Sequence, residues 1–287
     1  MPETDELLDA TTALIPPLLT ALDALRAAGR HMHPPMLAEL VDAIRPQHGG
    51  LVEGFDVFKN ATWPEHLETF VDCVNRSVGY ALRAFAQFEQ ALEAPQPAFI
   101  AYRAMGLTTK ATEALYPVAA MLPPVSRFYL EPQSRDNVEL LDRLAAVNAD
   151  KDHVGLMHAN NSSDERGGFS VYVPEYYAGE AVPLVFALHG GSGHGRQFIW
   201  SWLRAARSLN CIVIAPTSLD NTWSLMDPGA DAQRLHNLVD YAKTHWNIDS
   251  EKVLLCGMSD GGTFSYVAGL QDQVPFTHLA PCSASVS

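Results

Sequence analysis

The stretch "LLCGMSDGGTF", Leu254 to Phe264, decides how this chain is read. It opens as the end of an apolar run, Val253-Leu254-Leu255-Cys256, with the length and composition of a buried strand. It closes in a helix-like run from Thr263 to Leu270. Between the two, Ser259 stands in a Gly-x-Ser-x-Gly frame formed by Gly257 and Gly261, and Gly262 follows. A strand that turns at once into a helix leaves little room beside the turning residue, so its neighbours must be small. Ser259 is therefore expected to project at the carboxyl end of a sheet, over a helix N-terminus whose dipole favours developing negative charge.

Upstream, "LHGGSGHG", Leu188 to Gly195, also follows a short apolar run, "PLVFAL". Its glycines let the backbone turn sharply and aim amide hydrogens inward. The amides of Gly191 and Asp260 are the expected donors toward an oxyanion, with Gly190, Gly257 and Gly261 as supporting glycines. The side chain of Asp260 is read as a first-turn acid favoured by the helix dipole, since adjacent side chains point apart.

The two halves of the chain differ in period. Up to about Asp150 the apolar spacing is three and four, as in Leu67, Phe70, Val71, Val74, Val78, Ala81, Leu82 and Phe85. A helical module over 1–150 is expected, with Ser134 capping its last helix. Pro16-Pro17, Pro34-Pro35 and Pro123-Pro124 mark turns or helix starts, and Phe85, Phe88, Phe99 and Tyr102 are assigned to a core. From Val154 the grammar changes. "VGLMHANNSSDERGGFSVYVPEYY" reads as a β-hairpin, and short apolar runs then alternate with helical ones as far as "HLAPCSASV". That alternation indicates α/β architecture, a mostly parallel sheet covered on both faces over 151–287.

Composition narrows the function. A formal charge of −14 and no Lys/Arg cluster argue against a nucleic-acid surface. The acidic start lacks the basic flank of a signal peptide, and no apolar run is read as reaching the ~18 residues of a membrane span. Cys73, Cys211, Cys256 and Cys282 have no CxxC spacing and read as reduced thiols of a cytoplasmic protein. His31 and His33 have metal-like spacing without a third ligand nearby, so no metal is expected there.

Taken together, "PLVFALHGGSGHG", "NIDSEKVLLCGMSDGGTF" and their order resemble the α/β-hydrolase family, and within it bacterial serine carboxylesterases and phospholipase-like esterases. The resemblance covers Val154 to Ser287 and implies an ester-cleaving Ser–His–Asp/Glu triad with no metal or organic cofactor, with Ser259 by position its nucleophile. It implies that His189 supports its loop rather than acting as base, while His194 is expected to be exposed or to line the substrate. The implied substrate is a small-molecule or lipid-like ester. Thioester, peptide or lactone cleavage on the same scaffold stays open, as does a non-catalytic binding protein of this fold.

In the family the triad acid and histidine follow the serine, but only 28 residues follow Ser259. His278 and Asp272, in that tail, are expected at the wrong end of the sheet. The expectation is a sheet incomplete at its C-terminal edge, in a truncated form of a longer hydrolase, nearly inactive by itself. Self-association through the open edge is expected too.

Overall fold

The computed structural model describes residues 2–147 and 151–285. The boundary expected at Asp150 and the end of the last strand at Val286 lie outside the described residues. The chain forms two compact units, Met1–Tyr129 and Leu130–Ser287.

The first unit consists of α1 (Pro2–Arg30), α2 (Leu37–Asn60), α3 (Glu68–Ala91), α4 (Pro97–Leu115) and the short α5 (Pro123–Phe128). In α1 the stripe Leu14, Leu18, Ala21, Leu22, Leu25 and Ala28 is buried, a helical period facing a core. Three expectations change here. By length and composition Asp5–Arg30 is apolar enough to cross a membrane, with a third of its most apolar window buried. Pro16 and Pro17 lie inside α1 rather than at a turn. Their helix-breaking cost, about 3 kcal/mol each, is exceeded by the burial of Leu14, Ile15 and Leu18 at roughly 2 kcal/mol apiece together with the rest of the stripe. Phe85 and Phe88 are core residues, but Phe99 and Tyr102 are exposed, on the face of α4 opposite Ala101, Ala104 and Leu107.

The second unit begins with α6 (Val138–Ala145), whose Leu140 packs with Leu130 and Tyr176. Its cap is Asn137, whose side chain accepts from the Leu140 amide; Ser134 belongs to the 3₁₀ turn Pro132–Ser134. Six strands follow: β1 (Gly155–Ala159), β2 (Phe169–Val173), β3 (Val182–Leu188), β4 (Ile212–Pro216), β5 (Ile248–Met258) and β6 (His278–Cys282). They are ordered β1-β2-β4-β3-β5-β6. β2 is antiparallel to both β1 and β4, and the pairs β3·β4, β3·β5 and β5·β6 are parallel. The helices between them are α7 (Gly195–Phe198), α8 (Leu203–Leu209), α9 (Gly229–His245) and α10 (Asp260–Gly269).

Every residue of β4 is buried and β3 is nearly so, as central strands covered on both faces must be. One core joins Leu184, Phe186, Ile212, Ile214, Val253 and Leu255 of the strands to Leu235, Val239, Ala242, Phe264 and Ala268 of α9 and α10. Each of these large aliphatic side chains contributes about 1.5–3 kcal/mol by burial. The strand order and directions are those of an α/β-hydrolase-type, mostly parallel sheet. β6 is its outermost strand, and Pro281 removes one amide donor from it.

Candidate active site

β5 ends at Met258 and α10 begins at Asp260, so Ser259 alone makes the turn. Its backbone takes φ 54 and ψ −119, the conformation of the first central residue of a type II′ turn, where glycine is the norm. Three contacts hold it there. The Ser259 amide donates to the Cys282 carbonyl on β6 at 2.9 Å, and the Ser259 carbonyl accepts from the Thr263 amide at 2.9 Å. Packing supplies the third. A β-carbon on Gly257 would lie 2.3 Å from the Gly261 oxygen, so strand and helix close onto each other only where side chains are absent. Ser259 itself is exposed.

The HGG turn after β3 lies beside it. A β-carbon on Gly190 would be 3.5 Å from Ser259 Cβ and 3.8 Å from Met258 Cε. Gly193 donates to the Gly190 carbonyl at 2.9 Å, closing a four-residue turn with Ser192 at φ 56. The Ser192 amide is taken by the Asn221 carbonyl at 3.0 Å. Thus the Ser192 and Gly193 amides are both engaged, and the Gly191 amide immediately precedes them. A β-carbon on Gly191 would stand 2.7 Å from Asp260 Oδ2, so the turn and the start of α10 are in direct contact. The structure therefore brings Ser259, Gly190, Gly191, Asp260, Gly257 and Gly261 together.

His189 is buried, and Nδ1 donates to the Gly190 carbonyl at 2.7 Å while Nε2 accepts from the Ser218 amide at 3.1 Å. Both nitrogens are occupied, as a loop support requires. Burial drives its pKa down to about 4, so the ring is neutral at pH 7. His194 was expected to be exposed or to line the substrate; it is buried. Its Nε2 meets the Glu165 carbonyl at 2.8 Å and its Nδ1 accepts from the Arg196 amide, so it caps α7. His278 pairs across β6 with Leu254, while Cys282 pairs with Met258. Four strand residues separate it from the bend, about 13 Å. Asp260 Oδ2 accepts from Thr222 Oγ1 at 2.6 Å, which fixes the carboxylate on the loop after β4.

That loop, Thr217 to Ser224, escaped the sequence reading. Trp223 stacks on Phe264 at 5.2 Å between centroids and donates Nε1 to the His189 carbonyl at 2.8 Å. Asn221 Nδ2 donates to Ser192 Oγ, and Asp231 at the start of α9 accepts from the Leu219 and Ser224 amides. The only signal in "TSLDNTW" is its density of turn-forming polar residues after a strand. All four cysteines are free, with Cys211 and Cys256 buried and burial raising both thiols.

No protein-family profile matches the chain. Among curated proteins it is 33% identical over 118 residues to the bifunctional acetylxylan esterase/xylanase XynS20E of Neocallimastix patriciarum, across 39% of this chain and 17% of that protein. The chain thus spans about a sixth of that relative's length. Among solved structures, the acetyl xylan esterase from Aspergillus awamori overlaps at TM-score 0.38 and 21% identity, over 44% of this chain and 50% of that one. The S-formylglutathione hydrolase FrmB from Staphylococcus aureus overlaps at TM-score 0.38 and 19% identity, over 45% and 56%. The chain spans about half the length of those two enzymes. With its fifth strand running into a Gly-x-Ser-x-Gly bend at the carboxyl end of a 1-2-4-3-5-6 sheet, the second unit has the architecture of an α/β-hydrolase-type fold.

Proposed function

We propose that this chain carries the nucleophile half of a serine hydrolase that cleaves carboxylic esters through an acyl intermediate on Ser259. The observation that carries the proposal is the backbone of Ser259, held at φ 54 and ψ −119 with its side chain exposed at the strand end. A residue in so unfavourable a well costs about 1–3 kcal/mol and persists where the surroundings over-determine it, as at nucleophile elbows. In this reading Ser259 Oγ attacks the ester carbonyl. The amides of Gly191 and Asp260 receive the oxyanion, the latter being a first-turn amide without an intrahelical acceptor. Loss of one such donor costs about 10²–10³ in rate. Met258, 48% exposed and against Gly190, puts an apolar surface beside the reacting hydroxyl, which suits an uncharged acyl group of a small-molecule or lipid-like ester.

Activation of Ser259 needs a base. His189 and His194 have both ring nitrogens engaged, and His278 stands at the far end of β6. We propose that none of these three serves as the base, so that Ser259 acylates slowly in this chain. The test is a fluorophosphonate probe on the full chain and on Ser259→Ala, followed by a panel of p-nitrophenyl esters of increasing acyl length. Slow labelling confined to the serine-bearing protein is the expected result. Equal labelling of both proteins would remove Ser259 from the chemistry. Labelling complete within seconds would mean that a base is already present.

A further inference from the structure

The loop between β1 and β2 reaches the same end of the sheet as Ser259, because β2 runs antiparallel to β4 with Phe169 opposite Pro216. From that loop Arg166 extends across to the residues that follow β3 and β4. Its Nη1 donates to the Gly193 carbonyl at 2.8 Å, and its Nη2 donates to Ser218 Oγ and to the Asp220 carbonyl. Ser218 in turn donates its amide to His189 Nε2 and its hydroxyl to the Asp220 carbonyl. One guanidinium therefore ties the Gly190–Gly193 turn to the loop after β4.

We propose that Arg166 is a positioning residue that sets the aim of the Gly191 amide toward Ser259. This rests on the reading of Ser259 as nucleophile. The physical argument runs through the turn. Gly193 donates to the Gly190 carbonyl, and Arg166 holds the Gly193 carbonyl, so both peptide planes at the closing end of the turn are fixed. The Ser192 amide is fixed separately on Asn221. The Gly191 amide shares its peptide plane with the Gly190 carbonyl, which accepts from the Gly193 amide and from His189 Nδ1, so Arg166 acts on its aim through the anchored Gly193. A planar fork is needed because the acceptors lie on two loops and are reached by two different nitrogens; an ammonium on a flexible stem serves one of them at a time. Arg166 Nε is buried without a hydrogen-bond partner, a cost the fold bears where the other contacts depend on this side chain.

The experiment compares the full chain, Arg166→Lys and Arg166→Ala by amide hydrogen exchange and by fluorophosphonate acylation, with Ser259→Ala as the background. The expected result in Arg166→Ala is exchange at least 10-fold faster over residues 190–193 with β3 and β5 amides unchanged. Acylation of Ser259 is expected to fall by about 10–100-fold in its maximal rate, with little change in probe affinity, since a misaimed donor acts on the transition state. Arg166→Lys is expected to fall between the two, and it supplies the answer if the alanine variant does not fold. Unchanged exchange over 190–193 in a folded variant overturns the proposal, as does unchanged maximal acylation or a loss shared equally by β3 and β5. If the parent protein leaves Ser259 unlabelled, the hydrolase reading fails, and the exchange pattern still decides whether Arg166 holds the turn.

Discussion

Gly261→Ala tests how the bend at Ser259 is made. A β-carbon there would lie 2.4 Å from the His189 carbonyl oxygen and 2.5 Å from that of Leu188, both backbone atoms at the end of β3. Ordinary contact needs roughly 3.5 Å, so the first turn of α10 and the end of β3 must separate by about 1 Å. Neither can do so cheaply, since β3 pairs with β5 along Leu184–Leu188 and Ser259 is tied to β6. Overpacking of this kind costs about 1–3 kcal/mol, and the backbone obstacle places the expected value near 3. The same displacement moves Ser259 relative to the HGG turn, for which a loss on the order of 100-fold in acylation is expected. Denaturant unfolding of the second unit and fluorophosphonate labelling read the two effects separately. Gly79→Ala is the matched control, a helix-interior glycine in α3 with no atom within 4 Å of its added methyl. It should stabilise the first unit by about 0.5–1 kcal/mol and leave labelling unchanged. If Gly261→Ala stays within 0.5 kcal/mol of the parent, the close approach of β3 and α10 is not what shapes the bend.

The fold holds His189 neutral, with a pKa lowered from 6.5 to about 4 by burial, so the unfolded chain takes up a proton first as pH falls between those values. Stability of the second unit should be unaffected by this group above pH 6.5 and decline by up to roughly 3 kcal/mol on approach to pH 4. Urea unfolding at pH 7 and 4.5 should show that slope in the parent and a shallower one in His189→Asn; identical slopes would clear His189 of the effect. Asn137→Ala should cost the second unit about 1 kcal/mol through loss of the bond to the Leu140 amide, and Ser134→Ala should cost little. A larger loss from the serine variant would move the cap back to where the residue pattern put it.

What could be read from residues alone followed from period and from small side chains. Val253–Cys256, the "VFAL" run and the hairpin around Asp164 are short, apolar or alternating, and their partners lie in the same layer, so local pattern and burial agree. The Gly-x-Ser-x-Gly and HGG segments were legible because backbone crowding demands glycine whatever surrounds it. Pro16-Pro17 misled because tertiary burial of Leu14, Ile15 and Leu18 outweighs a local rule. Ser134 misled because serine and asparagine cap equally well, and only the backbone at residue 137 shows which does so. Arg166 had no sequence signature at all. Its acceptors lie 27, 52 and 54 positions away on loops whose spacing has no period.

Backbone strain separates Ser259 from Asn210, another residue of positive φ. Asn210 has nearly the same φ, 53, but with ψ 54 it sits in the left-handed well and ends α8 as asparagine commonly does. Ser259, at φ 54 with ψ −119, has no such refuge, because serine carries a β-carbon where that region favours glycine. A glycine at 259 would relieve the strain and remove the hydroxyl. The chain instead keeps the hydroxyl and clears space around it, with glycines at 257, 261 and 262 against the carbonyls of Gly261, Leu188, His189 and Cys282. Three neighbouring positions give up their side chains so that one hydroxyl can stand in an unfavourable conformation. A turn needed only to join strand to helix could place its glycine at the turning residue, so the arrangement points to the hydroxyl as what the bend serves.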